Sequence, residues 1–151
     1  MKYCGTLISV SDMEKSKRFY EGVMQQKVMM DLGVHVSFEN GLSLQSNYEE
    51  LVGVELAARE RPNNFQLYFE VEELDCWEAK LKSVEGIEFI HDSKAYPWGQ
   101  RVMRFYDYDK YIVEVSESMV SVAKRFLAQG LTVEETAERT MFPVDFVKQI
   151  L

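Results

Sequence analysis

A strand-and-helix pattern that occurs twice is the strongest constraint in this sequence. The segment "TLISVSDMEKSKRFYEGVM" opens at Thr6 with a short β-branched strand and breaks at Asp12, a side chain suited to capping a helix. Met13, Phe19, Tyr20 and Val23 then fall at roughly helical spacing. The segment "FQLYFEVEELDCWEAKLKSV" repeats the scheme with an alternating strand, an acidic break, and a helix carrying Leu74, Trp77 and Leu81. Setting Val10 over Val71 places Asp12 over Glu73 and Met13 over Leu74, an offset of 61 residues. About three short strands follow each unit. In the first half they are expected at 28–32, 34–38 and 42–45, and in the second at 87–91, 101–106 and 111–115. The pattern predicts an α+β chain of two βαβββ modules, about residues 1–60 and 61–118.

Within the first module, "VHVSFENGLSLQ" fixes a register. A three-residue loop Glu39-Asn40-Gly41, with Gly41 left-handed, pairs Phe38 with Leu42. Val34, Val36, Phe38, Leu42 and Leu44 then share one face, and His35, Ser37, Ser43 and Gln45 the other. His35 comes to lie opposite Gln45. The same parity sends Thr6, Ile8 and Val10, then Leu67, Phe69 and Val71, then Tyr111, Val113 and Val115 toward a helix-covered core. Gln66, Tyr68, Glu70, Ile112 and Glu114 are left on the opposite, polar-aromatic face. Glu114 is the feature that asks for an explanation, because a carboxylate inside an apolar strand is costly unless something meets it.

Charge divides the chain further. Residues 1–118 carry 13 Lys+Arg against 21 Asp+Glu, whereas residues 119–151 carry four of each. A helical extension is expected over 119–151. Gly130 closes its first helix, Thr132 with Glu135 forms a capping box for the second, and Pro143 begins the third. Phe142, Phe146 and Ile150, with Val147 and Leu151, form an apolar stripe that wants packing. The phrase "LTVEETAERTMFPVDFVKQIL" also resembles half of a helix-turn-helix. The net charge of -8 and a third helix whose one basic residue is Lys148 argue against a phosphate backbone as partner. Two cysteines, Cys4 and Cys76, the absence of an export signal, and no apolar run of bilayer length predict a cytoplasmic protein without membrane contact.

The paired modules, the opening "LISVSDMEKSKRFYEGVM" and the closing "PWGQRVMRFYDYDKYIVEV" resemble the vicinal oxygen chelate superfamily. This is the group of glyoxalase I, bleomycin-resistance proteins and extradiol dioxygenases. The resemblance covers about residues 3–118 and implies a curved mixed sheet, a concave cleft for a small organic ligand, and a homodimer. Metal-dependent members place one ligand on the first and one on the last strand of each module. By position these are Gly5, Gln45, Gln66 and Glu114. Glu114 matches fully, Gln45 and Gln66 offer only neutral amide oxygens, and Gly5 offers no side chain. One carboxylate and two amides leave a dication under-neutralised. No cofactor is therefore expected; a divalent metal, if bound, would use Glu114, Gln45 and Gln66, with His35 as a stand-in. The family's Asp-Pro-Asp-Gly turn reads Asp107-Tyr108-Asp109-Lys110, with a side chain where a positive φ is wanted.

The expected function is small-molecule binding, or metal-independent chemistry, in that cleft. Glu114 is the candidate catalytic group, competing with a role as a solvated groove residue. His35, Gln45, Gln66, Tyr68, Trp98 and Arg101 are the candidate ligand contacts. Arg104 competes with Arg101, because strand parity after Gly99 is open. His91 is expected at the surface, and Cys76 partly buried and inert. Two alternatives stand beside this reading: a divalent-metal lyase, isomerase or dioxygenase, and a regulatory or DNA-associated module acting through the C-terminal helices.

Overall fold

The computed structural model describes residues 1–57 and 60–150, which divide into two compact units, Met1–Arg61 and Pro62–Leu151. In the first, β1 (Thr6–Ser9) leads to α1 (Met13–Lys17), which widens into a π-helical turn over Arg18–Val23. Then come β2 (Val28–Asp31), β3 (His35–Phe38) and β4 (Leu42–Gln45). The sheet order is β1-β4-β3-β2, with β1 parallel to β4 and both hairpin pairs antiparallel. A short helix α2 (Tyr48–Val52), absent from the sequence reading, follows.

The second unit repeats this. β5 (Gln66–Val71), α3 (Leu74–Lys82), β6 (Glu88–Ala95), β7 (Arg101–Tyr106) and β8 (Ile112–Glu117) form a sheet of order β5-β8-β7-β6. The fold is thus α+β, built of two βαβββ modules and closed by C-terminal helices. Its cause is the repeated alternation. Ile8, Val10, Val36, Phe38, Leu42 and Leu44 are buried against Phe19 and Tyr20 in one unit; Leu67, Val113 and Val115 are buried with Leu74 and Leu81 in the other. Asp12 caps α1, its carboxylate accepting from the Lys15 amide at 3.0 Å.

The predicted hairpin register holds: His35 pairs with Gln45, Val36 with Leu44 and Ser37 with Ser43, while Gly41 is left-handed at φ 88. Val34, assigned to the core face, instead precedes the strand and is exposed. The strand expected over 87–91 runs on to Ala95, so the connection to β7 is shorter, Tyr96–Gln100. Two register shifts in β6, at Phe89/His91 and His91/Lys94, break its alternation. The turn at Asp107 keeps its shape despite the missing glycine. Lys110 takes the positive φ of 65, and the Asp107 carboxylate accepts from the amides of Asp109 and Tyr111. Cys76 is exposed rather than partly buried; its thiol donates to Glu73, which pushes its pKa up, away from the reactive thiolate.

The extension forms α4 (Met119–Ala128), α5 (Val133–Thr140) and α6 (Val144–Gln149), within the same unit as the second module. Ser118 caps α4, and the capping box of Thr132 and Glu135 is present. Phe142 meets Phe146 edge-on at 4.7 Å and Val147 is fully buried, whereas Leu151 lies outside the described residues. Among the described residues no helix is long and apolar enough to cross a membrane.

The last residue of β8 ties this extension down. Glu117, 3% exposed, accepts from Arg125 Nε at 3.1 Å and Nη2 at 2.9 Å, and lies 3.4 Å from Arg101 Nε. Burial opposes its ionisation, but the hydrogen bonds from Arg125 and Arg101 outweigh that and hold the carboxyl below its ordinary range. A carboxyl depressed in the folded state adds stability above its unfolded value, about 4.3, and loses it as pH falls through the folded one. The urea midpoint should therefore fall below about pH 4.3, and Glu117→Gln should flatten that part of the profile. A Glu117→Gln profile superimposable on the parent below that pH would contradict this.

Candidate functional site

The face of the second sheet opposite α3 gathers a polar cluster, and the strand register explains it. Arg104 pairs with Glu114 across β7 and β8, Tyr68 pairs with Glu114 across β5 and β8, and His91 pairs with Arg104 across β6 and β7. Four strands thus contribute one row: His91, Arg104, Glu114, Tyr68. The bulges in β6 bring His91, half-exposed, into this row.

Arg104 is the hub. Its Nη2 forms an ion pair with Glu114 Oε2, and Nε donates to Gln66 Oε1 at 3.1 Å. Nη1 donates to Tyr96 Oη at 2.6 Å and to His91 Nε2 at 3.1 Å. Because His91 Nε2 accepts, its Nδ1 carries the proton and donates to the Asp92 carbonyl at 2.8 Å. Glu114, only 6% exposed, also accepts from Gln66 Nε2 at 2.8 Å and Ser116 Oγ at 3.0 Å. The buried carboxylate that the sequence left unexplained is therefore met by a guanidinium, an amide and a hydroxyl.

Exposed aromatic rings flank this hub. Trp98 stacks on Tyr96 with centroids 4.9 Å apart, and its Nε1 donates to Gln100 Oε1 at 3.1 Å. Trp98 and Tyr68 remain 40% and 50% exposed, available to an incoming molecule. Burial, and the hydrogen bond Tyr68 donates to Glu70, push its phenol up to about 12, so it is neutral at pH 7. Arg101, singled out from the sequence, is engaged elsewhere: Nη1 pairs with Asp75 at 2.9 Å and Nε with Glu117.

On the first sheet, His35 Nδ1 donates to Gln45 Oε1 at 3.0 Å, and Gln45 Nε2 donates to the Ser46 carbonyl at 2.7 Å. The shared topology also relocates one corner of the expected metal set. Leu7 pairs with Ser43, and Tyr68, 61 residues on, pairs with Glu114. Ser43, not Gln45, is thus the counterpart of Glu114, and Gln45 is the counterpart of Ser116. Ser37, opposite Ser43, buries a hydroxyl that has no hydrogen-bond partner.

These residues do not fit a divalent metal. At Gly5 (φ +154) an added Cβ would stand 2.0 Å from the Gly41 carbonyl oxygen, so no ligand can be carried there. Ser43 offers a neutral hydroxyl. Gln66 spends its oxygen on Arg104 and its nitrogen on Glu114, and Glu114 is met by the Arg104 cation. Among the described residues no three His, Cys, Asp or Glu side chains group as a metal site requires.

Comparison with known proteins places this geometry. Residues 3–120 match the model of the glyoxalase-like domain. The crystal structure of a protein of unknown function from Agrobacterium tumefaciens str. C58 is 32% identical, with a TM-score of 0.71 over 78% of this chain and 94% of that one. A glyoxalase-related enzyme from Fulvimarina pelagi is 22% identical, with a TM-score of 0.64 over 79% and 89%. The fosfomycin resistance protein FosX from Listeria monocytogenes is 18% identical, with a TM-score of 0.60 over 78% and 93%. No curated protein matches the chain.

Proposed function

The chain belongs to the glyoxalase-like domain family of the vicinal oxygen chelate superfamily, and from that premise we propose that it binds a small, planar, uncharged organic molecule without a metal. The observation that carries this reading is the Arg104 guanidinium paired with Glu114 at the family's one matching ligand position. That pair leaves the centre of the face neutral, so charge selects neither an anion nor a cation. Tyr68 and Trp98 supply exposed rings, and the Tyr96 hydroxyl, which accepts from Arg104, keeps a proton to donate beside them. Glu114 is committed to three donors, which favours a binding role over proton abstraction. The fosfomycin-resistance relative is too distant to lend its substrate.

A single-tryptophan form tests this directly. The chain has two tryptophans, Trp77 and Trp98, so Trp77→Phe leaves Trp98 as reporter. Titration with 2-naphthol, a neutral planar molecule with one hydroxyl, is expected to change Trp98 emission saturably. Tyr68→Ala should weaken that binding about tenfold, the scale of one lost aromatic contact. A linear, non-saturating response that Tyr68→Ala leaves unchanged would contradict the proposal.

A further inference from the structure

The turn that carries Trp98 is held from outside the sheet. Gly99, at φ +89, is buried beneath Phe126 of α4: a Cβ there would lie 2.1 Å from Phe126 Cζ. Two guanidiniums stand over the ring of Phe126, Arg125 at 5.1 Å and Arg139 of α5 at 5.0 Å. Arg125 Nη2 donates to the Gly99 carbonyl at 2.6 Å while its fork grips Glu117. Gln100, the partner of the Trp98 indole, is fixed in turn by donating Nε2 to the Glu117 carbonyl at 3.0 Å. A five-residue turn with exposed rings would otherwise sample many conformations, and a contact made by a mobile ring is weakened by the entropy of ordering it.

We propose that the C-terminal helices are a positioning element for the ligand face, with Arg125 and Phe126 setting the Tyr96–Gln100 turn and so the orientation of Trp98. The inference rests on the binding role of Trp98 given above. Arg125 and Phe126 touch no ligand; they act through Gly99.

The test uses the full chain with Trp77→Phe. In Arg125→Ala the acrylamide quenching constant of Trp98 should rise about threefold as the turn loosens, and affinity for 2-naphthol should fall about fivefold because binding must now order it. Arg125→Lys, which keeps the charge and loses the fork, should fall between parent and alanine in quenching. Phe126→Ala should show the same signature where it folds. Val122→Ala is the control: it is fully buried on the same helix, and should lower the melting temperature while leaving Trp98 quenching at the parent value. Unchanged quenching in a folded Arg125→Ala, or an equal rise in Val122→Ala, overturns the proposal. A loosened Trp98 with unchanged 2-naphthol affinity upholds the positioning role and overturns the binding role of Trp98.

Discussion

A histidine placed at position 5 should destabilise the protein and bind no metal. In metal-dependent relatives this position carries a ligand, so Gly5→His looks like a restoration. The backbone here forbids it. Gly5 holds φ +154 with its Cα against Gly41, and the new Cβ would overlap the Gly41 carbonyl oxygen at 2.0 Å. That carbonyl also accepts the first β1 hydrogen bond, from the Thr6 amide at 2.9 Å. The clash is relieved only by lifting the start of β1 off β4 or distorting the Glu39–Gly41 loop. Steric strain and lost pairing together should cost roughly 2–4 kcal/mol, read as a lower urea midpoint at unchanged slope. Gly5→His with parent stability would show that the strand start yields more easily than its packing implies.

Removing the guanidinium should cost more than any other single truncation on the polar face. Arg104→Ala strips Glu114, 6% exposed in the parent, of its counter-charge and strands the acceptors of Gln66, His91 and Tyr96. Breaking a buried pair from one side costs roughly 3–5 kcal/mol, because one charge is left uncompensated. Arg104→Lys keeps the charge but cannot reach four acceptors from one ammonium, so it should recover less than half of that loss. The double variant Arg104→Met with Glu114→Gln should be more stable than Arg104→Ala, since no buried charge remains. Urea midpoints across this cycle measure the coupling. Additive effects of Arg104→Met and Glu114→Gln would mean that the pair is not the anchor described here.

The fold was readable because its signals are local and repeated. Asp12 and Glu73 stand at helix starts 61 residues apart, and Asn40-Gly41 selected one hairpin register out of two. The site was readable only in part. Glu114 and Gln66 could be placed on the face opposite the helix because β5 and β8 alternate cleanly. Arg104 could not be chosen over Arg101, because that depends on where the Tyr96–Gln100 turn ends, and nothing in "DSKAYPWGQ" shows strand up to Ala95. His91 was hidden by bulges, which shift parity without leaving a mark in the sequence. Gln45 stands two residues beyond Ser43, the register counterpart of Glu114, because β4 and β8 differ in length and follow loops of different size. The three helices of the tail follow from Gly130, the Thr132–Glu135 capping box and Pro143, but their grip on Gly99 depends on two side chains meeting a turn 26 residues earlier.

A guanidinium meets Glu114 where metal-dependent relatives place a divalent cation. Protein purified without chelators, assayed for Ni, Zn, Mn and Fe and then titrated calorimetrically with each, tests it most directly. The purified protein should hold substoichiometric metal and give no saturable heat on titration, with no change in either on Glu114→Ala. One equivalent of any of these metals, lost in Glu114→Ala, would contradict it.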